Sequence, residues 1–365
     1  MKAIVVRKYG GPEVLKFEDF PDPVPGAGEV LVRVAAASVN PIDYKRRAGL
    51  TKDFYPMQFP GLIGVDMAGT VLKIGPQVEG FSAGDQVFAM ADNTYAELCV
   101  IRAAVLAKVP KGLDLIRAGA LPLVTVTGNQ LSSATGVGSG QTVMVVGAVG
   151  SVGRSAVFTA KQRGASVIAG LLKRQMQAED TKTVGADQFV ATDDDTAIAN
   201  LPPVNAVADT VGGRIAEKLI AKVKPGGVFA SVLRAPQNAA EYPSVKVVFV
   251  FSKFDRKTLE FMAEAVRDGK LVIPSARPCH SVKRPRLKLR RRRVASGRSC
   301  WWLEGYFGVG PGICAILFGA VVDDNLPVFH YPANFCDRHI DVAEGIAFDS
   351  NHVGEVSGSN LSESI

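Results

Sequence analysis

A glycine-rich turn is the stretch whose residue types and spacing indicate chemistry. Gly147, Gly150 and Gly153 follow directly on the apolar run 143–146, and a helical pattern over 151–163 comes after them. Because glycine has no Cβ, the backbone of such a turn can approach a ligand closely. The helix N-terminus offers unpaired N–H groups and the positive end of the helix dipole, which suit a pyrophosphate. The pattern predicts the first unit of a dinucleotide-binding fold.

The spacing leaves an alternative open, because Gly-x-x-Gly-x-x-Gly differs from the usual Gly-x-Gly-x-x-Gly and also occurs in ordinary strand–helix turns. The expected cofactor-lining residues are those of the turn and one residue from a later strand end. They are Gly147, Ala148, Gly150, Ser151, Val152, Gly153 and Val211.

The patterns on either side of the turn predict two domains. Over 1–120, short strands punctuated by glycine and proline are typical of a β-barrel-like unit. Over 121–252, strands and helices alternate as in a parallel, doubly wound sheet. Residues 253–276 are expected to return to the first domain. Strands are predicted at 1–8, 29–35, 69–75, 84–89, 95–101, 142–147, 166–170, 204–209, 226–232 and 245–251, and helices at 151–163, 173–184, 213–222 and 256–268. Asp255 is expected to cap the last helix and Gly269 to end it.

Composition indicates a globular α/β protein, with 47% hydrophobic and 21% charged residues among 365. Residues 1–20 contain no apolar stretch typical of a secretory signal, so a cytoplasmic location is expected. The five cysteines show no close metal-type spacing. Cys99 lies in an apolar strand without a basic neighbour and is expected to be an inert core residue.

The last quarter of the chain differs sharply from the rest. Residues 277–298 contain ten Lys or Arg and no Asp or Glu, and all four histidines lie beyond residue 276. We interpret 277–365 as an atypical tail, with a frameshifted or foreign segment, a disordered segment and a genuine accessory tail as the alternatives. Its basic run could attract nucleic acid or acidic lipid, but the break in composition argues against this interpretation. The glycine-interrupted apolar stretch 306–322 is short for a membrane span.

Several motifs in order give the chain a specific resemblance. They are Ser38-Val-Asn-Pro-Ile-Asp-Tyr44, Gly61-Leu-Ile-Gly-Val-Asp-Met-Ala-Gly69, Phe81-Ser-Ala-Gly-Asp-Gln-Val-Phe88, Val184-Gly-Ala-Asp187, Asp209-Thr-Val-Gly-Gly213 and Lys224-Pro-Gly-Gly227. Together with the glycine turn, they resemble the zinc-independent quinone oxidoreductase branch of the medium-chain dehydrogenase/reductase superfamily, over about residues 1–274.

The resemblance implies an α/β fold with a GroES-like β-barrel domain for the substrate and a Rossmann domain for the cofactor. It implies hydride transfer from NADPH to a quinone, with reduction of an activated C=C bond in an α,β-unsaturated carbonyl as the alternative. A homodimer is also implied, and 245–251 could pair between subunits or lie inside one sheet. A further alternative is a nucleotide-binding sensor or RNA-binding protein without turnover.

By the same resemblance, Asn40 and Tyr44 lie at the substrate cleft and Thr127 lies beside the nicotinamide. An amide and a phenol there could hydrogen-bond the oxygen of a quinone or enone, and Tyr44 or solvent could deliver the proton. Structural roles remain open for all three, because Asn40-Pro41 is also a turn signal, Tyr44 could cover the core and Thr127 could belong to a helix start.

The end of the second strand of the cofactor domain indicates which nicotinamide nucleotide is used. Sites selective for NAD place an acidic residue there, whereas this chain has Lys173 and Arg174. A basic pair can bind a 2′-phosphate, which favours NADPH. The alternative is a solvated helix start.

No metal is expected to take part in catalysis. Zinc enzymes of the superfamily carry Cys and His-Glu ligands where this chain has Asn40, Val65 and Asp66, and Val65 cannot ligate. No histidine precedes residue 280.

Overall fold

We describe the fold from a computed structural model of the chain. It describes residues 1–175 and 179–274, and beyond them the backbone of five short strands.

The first domain is built around the long strand β3, whose side chains alternate toward a buried core as expected of a half-buried strand. β3 pairs antiparallel with β5 and β7, β5 pairs with β6, and β6 pairs with β8. β1 pairs antiparallel with β2 and β4 in a smaller sheet. The strands are β1 (Lys2–Val6), β2 (Lys16–Asp19), β3 (Glu29–Ser38), β4 (Gly61–Leu62), β5 (Asp66–Ile74), β6 (Gln86–Met90), β7 (Leu98–Arg102) and β8 (Ala107–Lys108), and the helices are α1 (Pro41–Arg47) and α2 (Leu115–Gly119). The predicted antiparallel β domain is confirmed.

The second domain is a six-stranded parallel sheet in the order β11-β10-β9-β12-β13-β14. Its strands are β9 (Thr142–Val146), β10 (Ser166–Leu171), β11 (Gln188–Ala191), β12 (Val204–Asp209), β13 (Val223–Ser231) and β14 (Lys246–Phe249), and its helices are α3 (Pro122–Ala134), α4 (Ser151–Gln162), α5 (Asp195–Ala199), α6 (Gly213–Ile220) and α7 (Arg256–Arg267). The strand order reverses between β9 and β12, which is where doubly wound sheets bind ligands. The glycine turn leaves β9 at that point.

Helix α7 forms as predicted. The Asp255 carboxylate accepts a hydrogen bond from the Thr258 amide at 3.0 Å, and Gly269, at φ +71°, ends the helix. Leu259, Met262, Ala263 and Val266 form the buried face, which packs in the same core cluster as Phe88 and Val126. The return segment therefore begins with a helix that covers both domains.

The helix predicted over 173–184 is wrong. The described parts of this stretch are two 3-10 segments, Lys173–Gln175 and Glu179–Thr183. The backbone amide of Lys173 donates to the Asp193 carboxylate at 2.7 Å, so it is engaged by a side chain across the loop. Strand β11, which follows, was not predicted.

In the tail the structure describes the backbone of β15 (Lys288–Arg293), β16 (Ser299–Glu304), β17 (Phe307–Gly308), β18 (Cys314–Ile316) and β19 (Val321–Asp323). Strand β18 lies parallel to the end of β3. The rest of 277–365 lies outside the described residues, including much of the apolar stretch 306–322, and the frameshift interpretation stays a prediction. Among the described residues, no helix is both long and apolar enough to cross a membrane.

Candidate functional site

The glycine turn has the geometry that a pyrophosphate site needs. Gly147 has φ +74°, and a Cβ built on it would lie 2.3 Å from Thr210 Oγ1. A Cβ on Gly153 would lie 2.2 Å from the Gly147 carbonyl oxygen, so α4 packs directly on the turn. Gly150 is the N-cap of α4 in extended conformation. Ser151, Val152 and Gly153 form the first turn of α4, whose amides have no intrahelical acceptors. The residues fit a dinucleotide.

The side chain of a buried arginine bonds to the backbone of this turn. Arg154 is 1% exposed. Its Nε donates to the Val149 carbonyl at 3.0 Å and its Nη1 donates to Thr183 Oγ1 at 2.8 Å. The sequence analysis missed this residue, although a charged side chain in the buried stripe of a helix is itself a signal.

The end of β12 forms a second wall beside the turn. The Asp209 carboxylate accepts hydrogen bonds from the Val211 and Gly212 amides, both at 2.9 Å, and from Ser231 Oγ at 2.7 Å. A Cβ on Gly147 would lie 3.0 Å from Val211 Cγ2. The structure thus brings Val211 to the glycine turn.

At the end of β10, Lys173 lies where the sequence predicts a contact to the 2′-phosphate, but it already has an acidic partner. Its Nζ lies 2.8 Å from Asp194 Oδ2, in an exposed pair that raises the pKa of Lys173. Asp194 also caps α5 by accepting from the Thr196 amide at 2.9 Å. The side chain of Arg174 lies outside the described residues. The sequence analysis overlooked the acidic run 193–195, which contains the partner of Lys173.

A buried polar cluster lies where β3 ends and α1 begins, and we call it the substrate-side corner because the substrate cleft is predicted there. Ser38 Oγ donates to Asp66 Oδ2 at 2.5 Å, and Asn40 Nδ2 donates to the same oxygen and to Ser38 Oγ, both at 2.9 Å. Asn40, 4% exposed, thus uses both amide hydrogens within the protein. While these bonds last it cannot donate to a substrate oxygen, so the structure gives it a positioning contact where we predicted a donor.

Tyr44 is half-buried on α1. This short helix is held by a capping box in which Asp43 Oδ2 accepts from the Asn40 amide at 2.7 Å. Tyr95, from the loop before β7, donates to the same Asp43 oxygen at 2.8 Å and contacts the Ser38 carbonyl oxygen at 3.1 Å. The orientation of α1, and with it Tyr44, therefore depends on Asp43 and Tyr95.

Burial raises the pKa of both carboxylic acids in this corner. The pKa of Asp43 is raised to about 7 and that of Asp66 to about 6, in each case because desolvation outweighs the hydrogen bonds they accept. The pKa of Tyr95 is raised well above its usual range by burial and by Asp43. Sequence reasoning missed Ser38 and Tyr95 and treated Asp66 only as a replaced metal ligand.

Helix α3 joins this corner to the cofactor turn. The Leu123 amide in its first turn donates to Asp66 Oδ1 at 2.8 Å. Further along, a Cβ on Gly128 would lie 2.4 Å from both Ser155 Cβ and the Val152 carbonyl oxygen of α4. Between these contacts lies Thr127, 7% exposed, whose hydroxyl is 2.5 Å from Ser252 Oγ. The structure thus places Thr127 on a helix that touches both the corner and the glycine turn.

The remaining predicted features are Val65, the potential metal ligands and Cys99. Val65 is buried beside Asp66. Within 1–175 and 179–274, no three His, Cys, Asp or Glu residues are grouped as a metal site requires. Cys99 is a buried core residue, as predicted, and burial raises the pKa of its thiol to about 12.

Comparison with known proteins agrees with this geometry. Residues 26–113 match the family model of the alcohol dehydrogenase GroES-like domain. The chain is 30% identical over 257 residues to the acryloyl-coenzyme A reductase of Sulfurisphaera tokodaii, which covers 62% of this chain and 75% of that protein. It is 32% identical over 240 residues to the chloroplastic NADPH-dependent alkenal/one oxidoreductase of Arabidopsis thaliana, spanning 62% of this chain and 61% of that protein.

Among solved structures, the quinone oxidoreductase from Coxiella burnetii superposes with a TM-score of 0.68 at 29% identity, covering 76% of this chain and 90% of that one. Both domains and the connecting helix are therefore shared with oxidoreductases. The chain belongs to the medium-chain dehydrogenase/reductase superfamily, among its quinone oxidoreductases and alkenal reductases.

Proposed function

We propose that this oxidoreductase transfers a hydride from NADPH to a quinone without a catalytic metal. The observation that carries the proposal is α3, which touches the cofactor helix through Gly128 and the substrate-side corner through the Leu123 amide. One rigid helix thereby spans a nucleotide site and a polar corner, the arrangement that a hydride transfer between two bound molecules requires.

The bound nucleotide supplies the hydride, and the chain supplies orientation and a proton. The Tyr44 phenol is the proposed donor to the acceptor oxygen, on which negative charge develops as hydride arrives. A proton from Tyr44 or water then neutralises that oxygen. Asn40 is proposed to hold the corner, and Thr127 to lie against the nicotinamide. Cytoplasmic location remains part of the proposal.

The preference for NADPH rests on Lys173 and Arg174 at the end of β10. A cationic side chain there can bind a 2′-phosphate, and an arginine can do so with two hydrogen bonds. The pairing of Lys173 with Asp194 opposes this preference, since the carboxylate competes with the phosphate for the same ammonium group.

Reduction of an activated C=C bond is the second candidate. It is favoured by similarity to proteins named alkenal/one oxidoreductase and acryloyl-coenzyme A reductase. The same residues serve both reactions, because a quinone and an enone each accept hydride at a carbon conjugated to an oxygen.

A homodimer is proposed through β14. This strand is an edge of the parallel sheet and pairs with β13 on one side only among the described strands. Phe249 on β14 is 59% exposed and Phe251 is 48% exposed. An exposed apolar edge strand is suited to pairing with a second copy.

The test follows the loss of NADPH absorbance with a simple quinone, an enone and no acceptor, with NADH in place of NADPH as a control. Turnover that requires the acceptor is expected with NADPH, at a higher kcat/KM than with NADH. The acceptor with the higher kcat/KM decides between the two reductions.

Tyr44→Phe removes only the phenol oxygen and is the matched variant. It should lower kcat about 10²-fold, the usual contribution of a positioned proton donor, with little change in KM for NADPH. Tight nucleotide binding without reduction of any acceptor would contradict the proposal and favour a sensor.

A further inference from the structure

We propose that Asp66 is a positioning residue for hydride transfer, because its two carboxylate oxygens hold the substrate-side corner and helix α3 at a set separation. This inference rests on the proposed function. Asp66 does not itself react in this proposal. It sets the distance between the acceptor and the nicotinamide.

One oxygen of Asp66 holds the corner. Oδ2 accepts from Ser38 Oγ at 2.5 Å and from Asn40 Nδ2 at 2.9 Å. Asn40 is the N-cap of α1, the helix that carries Tyr44. Displacing the Asn40 side chain therefore moves the start of α1 and the proposed proton donor.

The other oxygen holds α3. Oδ1 accepts from the Leu123 amide at 2.8 Å, and α3 has no capping side chain of its own, since its N-cap residue is Leu121. A carboxylate at a helix N-terminus is stabilised by the free amides and by the helix dipole. Asp66 thus caps, from another domain, the helix that carries Thr127.

Only a carboxylate can make both sets of contacts. It accepts hydrogen bonds at two oxygens, whereas an amide has one acceptor oxygen and presents donors at its other end. Asp66 is fully buried, which is costly for a charge and unnecessary for packing alone. Three hydrogen-bond donors converge on the two oxygens of Asp66. This convergence explains why a carboxylate occupies the position.

The experiment replaces Asp66 by asparagine in the full chain, which keeps the shape and removes one acceptor. We expect kcat with the better acceptor to fall about 10- to 100-fold, as small misplacements of reactants do, while the Kd for NADP⁺ stays within about twofold. The primary isotope effect on kcat with NADPH deuterated at the transferred position should rise, because hydride transfer becomes slower than the other steps.

A second readout does not depend on activity. Hydrogen exchange in Asp66→Asn should become faster in peptides covering 38–44, 121–127 or both. The asparagine amide has a single acceptor oxygen, so it can bond either to the substrate-side corner or to α3, but not to both. Asp43→Asn is the matched control, because Asp43 is equally buried in the same corner and has no bond to α3. It should leave exchange at 121–127 unchanged.

Wild-type exchange and an unchanged isotope effect in Asp66→Asn would overturn the inference while leaving the reductase activity intact. A fall in kcat that only parallels a loss of NADP⁺ affinity would also overturn it. If the wild type reduces no acceptor, the proposed function fails and the catalytic role of Asp66 fails with it.

Ser38→Ala covers the case in which Asp66→Asn does not fold. It removes one donor to Oδ2 and the acceptor for Asn40, and leaves the contact with α3 in place. A smaller fall in kcat and a smaller rise in the isotope effect are expected, and an unchanged isotope effect would overturn the inference.

Discussion

Lys173 shows how a single residue can be identified correctly while its environment is missed. The sequence placed a cation at the end of β10, and the structure adds Asp194 at 2.8 Å. These residues are separated by a strand and two short 3-10 segments, so the acidic run 193–195 does not reveal in the sequence which cation it contacts. A nearby carboxylate weakens the attraction of an ammonium group for a phosphate, so the selectivity depends on both residues.

Asp194→Asn should strengthen NADPH binding about two- to fivefold, in line with the ~0.5–1 kcal/mol of an exposed ion pair. Binding of NADH, which lacks the 2′-phosphate, should not change. Asparagine can keep the α5 cap because its oxygen can accept from the Thr196 amide. Titration of the nucleotide fluorescence measures both affinities.

Asp195→Asn is the control for this substitution. Asp195 lies next in sequence, is exposed and pairs with Lys218. An equal gain in NADPH affinity in both variants would indicate a general effect of net charge and would contradict a specific role for Asp194.

The raised pKa values of Asp43 and Asp66 predict how stability depends on pH. Each acid binds its proton more tightly in the folded state, from a usual pKa of 3.8 to about 7 and about 6. Between those values these two groups bind more protons in the folded state than in the unfolded state, so their contribution to the free energy of unfolding falls as pH rises from about 4 to about 7. The slope is at most about 1.4 kcal/mol per pH unit for each group.

Thermal melts across this range measure the slope, and Asp43→Asn should reduce it by removing one titrating group. An unchanged slope would show that Asp43 is not protonated preferentially in the folded state. Asp209, whose pKa burial also raises, adds a contribution of the same sign and is common to both proteins.

At the scale of elements, helices α3 and α4 approach each other closely at Gly128. Gly128→Ala would push a methyl group into Ser155 and the Val152 carbonyl. Overpacking of this kind costs about 1–3 kcal/mol, so the melting temperature should fall. Nucleotide affinity should weaken as well, because α4 bears the glycine turn.

Gly138→Ala is the control for this contact. A Cβ there meets its nearest atom, the Arg163 carbonyl oxygen, at 3.8 Å, an ordinary distance. Similar melting temperatures for the two alanine variants would contradict the close approach of α3 to α4.

The elements divide into those that sequence patterns predict and those that they do not. The glycine turn, β3, β9, β12 and α7 combine local signals, such as glycine spacing, alternation and capping, with strong burial. The helix predicted over 173–184 fails at its start, where the Lys173 amide donates to the distant Asp193 carboxylate. Asp66 shows the same limit, since its partners are 26 and 57 residues away. Only tertiary packing reveals that it links two domains.

For the whole molecule, the exposed edge of β14 gives a prediction about assembly. Phe249→Lys should shift the chain toward the monomer in analytical ultracentrifugation, because a charge at an edge opposes strand pairing. Phe261→Lys is the control, since Phe261 is 48% exposed on α7, away from that edge. A dimer that persists in Phe249→Lys would contradict the proposed pairing.

The overall architecture follows from the sequence more completely than the site does. The fold class of each domain is predicted from composition and periodicity averaged over many residues, so a wrong assignment at one residue has little effect. A site depends on a few contacts, each between segments far apart in the chain. Val211 and the glycines lie together as expected, and the role of Thr127 stays a prediction. The contacts of Ser38, Asp66 and Tyr95 become visible only in three dimensions.

The close approach of Gly128 to α4 also matters for protein engineering. Because even a Cβ at Gly128 would lie 2.4 Å from Ser155 Cβ and from the Val152 carbonyl oxygen, no substitution there could shift the two helices gradually. Libraries that aim to change acceptor range should therefore spare α3 and vary the loop that carries Leu50, Phe54 and Phe59, which are 67%, 62% and 38% exposed. Diversity placed there can alter the surface of the substrate domain without disturbing the contact between α3 and α4.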